Sequence, residues 1–177
     1  MQPSTRARLF ADWSRTAHAQ DLAEQAESLA RRALDLAPEA DDTRALAQAH
    51  NILGILASRR GDPARARKHL EQSVQLAERL DDPDIRVAAL NNLALADRAS
   101  GEIGRAIELT QTALELCQTQ GDRHRQAALH NNLADLLHQA GQSEQAMEHL
   151  KLAVAIFAEI GEEAGALQPE IWKLVEW

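Results

Sequence analysis

Apolar positions along this chain fall at the spacing of a helix face, and the whole pattern then returns every forty residues. Ala49, Leu53 and Leu56, like Leu129, Leu133 and Leu136, stand at i, i+4 and i+7, the stripe of an amphipathic helix. The forty-residue step carries Leu53 onto Leu93 and Leu133, Gly61 onto Gly101 and Gly141, Ala66 onto Ala106 and Ala146, and Leu76 onto Leu116 and Ile156. Stepping back by forty lands on Trp13, Ala26, Leu34 and Leu36, a degenerate first copy with Asp21 where the others have Gly. A repeat of this length must be recognised before local structure, because it decides the fold. The copies run 7–46, 47–86, 87–126 and 127–166, followed by a half unit, 167–177, expected as a capping helix of a single domain.

Each copy divides into two helices. The first stops at Gly61, Gly101 or Gly141, where a left-handed cap is needed. In the second copy Asp62 caps the next helix and Pro63 takes its first position, where a missing N–H costs nothing. Ala66, Leu70, Val74 and Ala77 form the stripe of that second helix, which is expected to end near Asp81, with counterparts at Gly121 and Gly161. Asp82, Asp84, Asp122 and Glu162 then lie near the next helix N-terminus, where their charge suits the dipole. Repeated antiparallel pairs make an α-solenoid, which buries a core between neighbours and leaves a curved face free.

Composition narrows the class. With 34 Ala, 25 Leu, no Tyr and 3% aromatics, the chain reads as all-α. A net charge of −8 argues against a nucleic-acid partner, which calls for a basic footprint. No apolar run approaches the roughly 18–20 residues of a membrane span, and the N-terminal MQPSTRARLF lacks a signal-peptide core, so no membrane partner and a cytoplasmic location are expected. A single Cys excludes a disulfide scaffold. It aligns with Ala77 and Phe157, a packing column, so Cys117 reads as a core thiol. Seven histidines show no four-residue helical pairing, so no metal or other cofactor is expected. There is no phosphate loop and no nucleophile elbow, and a non-enzymatic role follows. Arg outnumbers Lys sixteen to three, which suggests a GC-rich bacterial genome.

The columns resemble the tetratricopeptide repeat family. His50, Leu53-Gly54, Ala57, Ala66, Leu70 and Ser73 follow its signature in the second copy, as do Phe10, Trp13-Ser14, Ala17, Ala26, Ala30, Ala33 and Pro38 in the first. The family's Tyr is replaced by Ala17, Ala57, Asp97 and Leu137, and Asp97 must find solvent or a partner. The forty-residue period is similar to the longer-helix variety of kinesin light chain and of bacterial MalT-like regulators. The resemblance implies a right-handed superhelix of antiparallel helix pairs whose first helices line a concave groove for a protein or peptide partner.

Asn51, Asn91 and Asn131 occupy one column and Asn92 and Asn132 the next, mid-helix positions where Asn is a poor helix former. They sit about 200° around the helix from the Leu53 column, away from the core. The resemblance implies that an Asn in the column of Asn92 and Asn132 holds a bound peptide backbone; bridging between neighbouring helices is the alternative. The same face continues through Ile55, Leu95 and Asp135 to Ser58, Arg98 and His138. The enzymatic alternative requires Asp135 and His138 in a cleft. Arg59, Arg60, Arg65, Arg67 and Lys68 cluster at one turn, as a solvated face or an anchor for an acidic partner. Ile171, Trp172, Leu174, Val175 and Trp177 crowd the last seven residues, to pack on the fourth repeat or, through Trp172 and Trp177, to form a homodimer contact. Such a chain would serve as a binding scaffold, or as an oligomeric adapter or peptide-sensing regulator of a separately encoded protein.

Overall fold

A computed structural model of the chain describes residues 3–37, 41–80 and 82–163. Among them are eight helices: α1 (Pro3–Ala19), α2 (Ala23–Leu36), α3 (Thr43–Arg59), α4 (Pro63–Ala77), α5 (Pro83–Ala99), α6 (Ile103–Gln120), α7 (Arg123–Gln139) and α8 (Ser143–Glu163). The fold of the described residues is all-α, and the helices keep the forty-residue period, although the first helices α1, α3, α5 and α7 each begin four residues ahead of the copy bounds at 7, 47, 87 and 127. The capping helix expected at 167–177 lies outside the described residues, as do Trp172 and Trp177.

The start and stop signals act as their chemistry requires. Asp42, Asp62, Asp82 and Asp122 each accept a hydrogen bond through Oδ1 from the backbone N–H three residues on, at 3.0–3.3 Å. Pro63 and Pro83 take the first turn of their helices. Gly61, Gly101 and Gly141 reverse the chain with φ of 75°, 81° and 77°, and Asp21 adopts the same left-handed turn at φ 59°. Asp is among the few residues besides Gly that tolerate it. Two helix ends differ from expectation: α4 finishes at Ala77, short of Asp81, and α8 runs through Gly161 to Glu163.

The chain forms two compact units, 1–100 and 101–177. In the first, α1, α3 and α5 pack side by side as one layer, and α2 and α4 lie against them as a second. Its core is rich in alanine, with Ala7, Ala11, Ala26, Ala30, Ala33 and Ala49 inaccessible beside Ile52, Leu53 and Leu56. Small side chains let the helix axes approach closely, which is how a chain poor in aromatics still excludes water. In the second unit α7 packs against both α6 and α8, and Ala127, Ile156 and Phe157 form a small core with Ile160. Cys117 is fully buried. Among the described residues one row on α8 is exposed. Met147, Leu150 and Val154 are exposed there, whereas Leu70 and Val74 at the matching positions of α4 are covered in a unit where α5 packs on α4.

Candidate functional site

The face expected to bind is carried by the first helices, α1, α3 and α5 in the first unit and α7 in the second. Asn51, Asn91 and Asn92 are half-buried rather than turned to solvent. The reason is the layer itself: a first helix has neighbours on its flanks as well as on its core side. Asn92 Nδ2 donates to Asn51 Oδ1 at 3.0 Å, joining α5 to α3. On the other flank of α3, Gln48 Nε2 donates to Asp12 Oδ1 at 3.1 Å and to the Ala11 carbonyl at 3.3 Å, joining α3 to α1. The Asn51–Asn92 contact is thus a bridge between helices. It uses one of the two N–H groups of Asn92 and one lone pair of Asn51, so both amides keep bonding capacity on the same face.

Ile55 is half-buried and packs against the core of the first unit, and Leu95 and Arg98 are half-buried on α5. In the second unit Asn131 and Asn132 are half-buried on α7, and Asp135 and His138 are exposed. Two concavities are lined by described residues of the first unit. One of about 270 Å³ is lined by Glu27, Leu53, Leu56, Ala57, Arg60, Asp62 and Arg65, and another of about 410 Å³ by Arg6, Phe10, Arg32, Asp35 and Leu36. Glu27 holds Arg31 at 2.7 Å and Arg60 at 2.5 Å, so the charges lining the smaller one are largely satisfied by each other. Those two guanidinium hydrogen bonds keep the Glu27 carboxyl below the usual range.

Among the five members of the basic cluster, Arg59 pairs with Asp21 at 3.0 Å, Arg60 with Glu27, and Arg67 with Asp97 at 3.0 Å, all within the first unit. This favours an internal role for the cluster over an anchor for an acidic partner. Asp97, the carboxylate in the family's aromatic column, is fully buried and finds its partner in Arg67. Two histidine pairs, His50 with His69 and His130 with His149, also form across helix hairpins. A search for helical i, i+4 ligands passes over them because they lie nineteen residues apart; their shared forty-residue register was the available signal. Among the described residues no group of three His, Cys, Asp or Glu is assembled as a metal site. No helix of the described residues is long and apolar enough to cross a membrane.

Antiparallel helix pairs repeated in one register, with polar bridges along the first-helix layer, define a helical-repeat protein of tetratricopeptide type. More narrowly, the chain belongs to the MalT-like TPR region family, whose model matches residues 11–174. Solved structures share the fold. BtubC (BKLC) from P. vanneervenii superposes with a TM-score of 0.80 at 18% identity, over 91% of this chain and 66% of that one. Aspartyl phosphate phosphatase F from Bacillus subtilis gives 0.79 at 16% identity, over 94% of this chain and 43% of its own. A Rap protein complexed with competence and sporulation factor gives 0.81 at 16% identity, over 92% and 45%. The chain therefore spans about two thirds of the first and less than half of the other two. Comparison with curated proteins finds no match.

Proposed function

We propose that the chain is a non-catalytic scaffold that holds a protein segment or peptide on the face of its first helices. The observation that carries this reading is the Asn51–Asn92 bridge, which fixes two amides in place beside Ile55 and Leu95. A fixed amide can donate to and accept from an extended backbone, and a prearranged face loses little conformational entropy on binding. The likeness to a Rap protein complexed with competence and sporulation factor agrees with this reading. A regulator acting on a separately encoded protein is the same surface seen from its biological side.

The test is selection from a displayed peptide library with the wild type and with a variant carrying Ala at Asn91, Asn92, Asn131 and Asn132. Peptides selected by the wild type should be lost by the variant at a temperature where its helicity is intact. Equal retention of those peptides, or a library that yields none, removes the proposal. Loss of the Asn92 bond alone should cost about 0.5–1.5 kcal/mol, so unfolding must be followed in parallel.

Self-association is a second reading, favoured by the exposed row Met147, Leu150 and Val154 on α8. Leu150→Ser with Val154→Ser should reduce the sedimenting mass of an oligomer; a wild type that sediments as a monomer at every concentration disposes of it.

A further inference from the structure

His50 of α3 and His69 of α4 meet with Nδ1 facing Nδ1 at 2.9 Å, and eighty residues on, His130 of α7 and His149 of α8 do the same at 2.9 Å. The ring centroids are 5.2 and 5.1 Å apart. That is close to the nitrogen separation plus the two centroid-to-nitrogen radii, so the rings meet head-on. Lone pairs that share a metal ion converge on a third point about 2.0–2.1 Å from each nitrogen. Lone pairs aimed at one another instead describe an N–H···N hydrogen bond. One ring of each pair must therefore carry its proton on Nδ1 while its partner, accepting at Nδ1, carries its own on Nε2.

Imidazole is not needed at these positions for packing. The same two columns hold Phe10 and Leu29 in the first repeat and Leu90 and Leu109 in the third. Alternate repeats thus place, between their two helices, a bond that lasts only while at least one of the two rings keeps a free Nδ1 lone pair. With both rings protonated, each Nδ1 is a donor, the bond is lost, and two like charges face each other across the hairpin.

We propose that the His50–His69 and His130–His149 pairs are acid-sensitive latches, each holding its helix hairpin closed while one proton is shared and releasing it when both rings are charged. Burial, with the facing ring second, pushes His50 down to about 4 and lowers His130. His69 and His149 are lowered first by burial as well. The charged groups acting on the first pair are Arg65 and Lys68 of α4 and Arg31 of α2, all opposing a further proton. On the second pair the acting charge is Glu148 of α8, which favours one. The α7–α8 latch should accordingly open at a higher pH than the α3–α4 latch.

The sign follows from proton counting. Below the ordinary value of 6.5 the unfolded chain protonates these rings while the folded chain resists, so the unfolded state binds more protons. The stability is complete above that value and drains away as the pH falls from 6.5 toward about 4 for His50.

The experiment is denaturant unfolding of the full chain from pH 4.5 to 8, for the wild type and for His50→Leu/His69→Leu, His130→Leu/His149→Leu and the quadruple variant. The apolar replacements copy the third repeat. Proton uptake on unfolding near pH 5.5 should fall by about two or more in the quadruple variant; an unchanged uptake overturns the proposal. A variant that fails to fold leaves the wild type's imidazole ¹⁵N spectrum to decide. One Nδ1–H ring per pair at pH 7 supports the latch, and four Nε2–H rings titrating at the ordinary value overturn it. Zn²⁺ or Ni²⁺ that stabilises the wild type but not the quadruple variant would also overturn it, by making the pairs ligands.

Discussion

Arg67→Ala should lower the unfolding free energy of the first unit by about 3 kcal/mol, read as a shift in the urea midpoint with an unchanged slope. Asp97 is fully buried on α5, and the Arg67 guanidinium reaches it from α4 at 3.0 Å. Truncating the arginine removes that cation from beside a carboxylate held in a low-dielectric position. The value is placed at the lower end of the usual range because the Arg67 side chain is one-third exposed, so water partly reaches the site. The double variant Arg67→Ile/Asp97→Leu should recover most of the loss or exceed the wild type. Forty residues on, the same two positions hold Ile107 and Leu137, which shows that the repeat accepts an apolar pair there. A double variant as damaged as Arg67→Ala would mean that the ion pair is not what holds α4 to α5 at this point.

Gly54→Ala should also destabilise the chain, by about 1–3 kcal/mol, although Ala is the better helix former by roughly 1 kcal/mol. A Cβ at residue 54 would lie 2.8 Å from Leu70 Cδ2, closer still to Leu70 Cγ, and 3.3 Å from the Ala66 carbonyl oxygen. Leu70 is almost wholly buried and has nowhere to swing, so α3 and α4 must separate. The first repeat holds Ser14 and Ala30 at these positions, trading a larger residue on one helix for a smaller one on the other. Gly54→Ala/Leu70→Ala should therefore lose less than the sum of its single changes. Additive losses in a double-mutant cycle would show that the two sites do not compete for one volume.

The repeat made most of the fold readable. Forty-step columns of Gly, Ala and Leu placed the helix pairs, and the substitution of Asp21 for Gly coincided with the same left-handed turn. Periodicity gives the angle at which a residue leaves its helix; it does not say which neighbour stands at the same height. The spacing turns Asn51 and Asn92 away from the Leu53 column but leaves a groove contact and a bridge between helices equally open, and only the structure shows that the two side chains meet and are half-buried. That Arg67 reaches Asp97 is not legible for the same reason. Arg67 belongs to the preceding repeat, and nothing in the spacing distinguishes it from the arginines around it. The concavity beside Glu27 and Arg60 was likewise not foreseen, since its walls come from two repeats.

The capping aspartates have a consequence for how neighbouring first helices are set in height. Asp42 gives one oxygen to its own helix start and the other to Arg8 at 2.6 Å, and Asp82 divides its oxygens likewise between Ile85 N–H and Arg44. In the first unit the residue that begins each later first helix is thus tied to the one before it, like a rung notched to its predecessor. A slip of one turn between them would break the start of the helix and its tether together. Asn at position 82 would keep the helix start while removing the charge that draws Arg44, separating where a helix begins from where it stands.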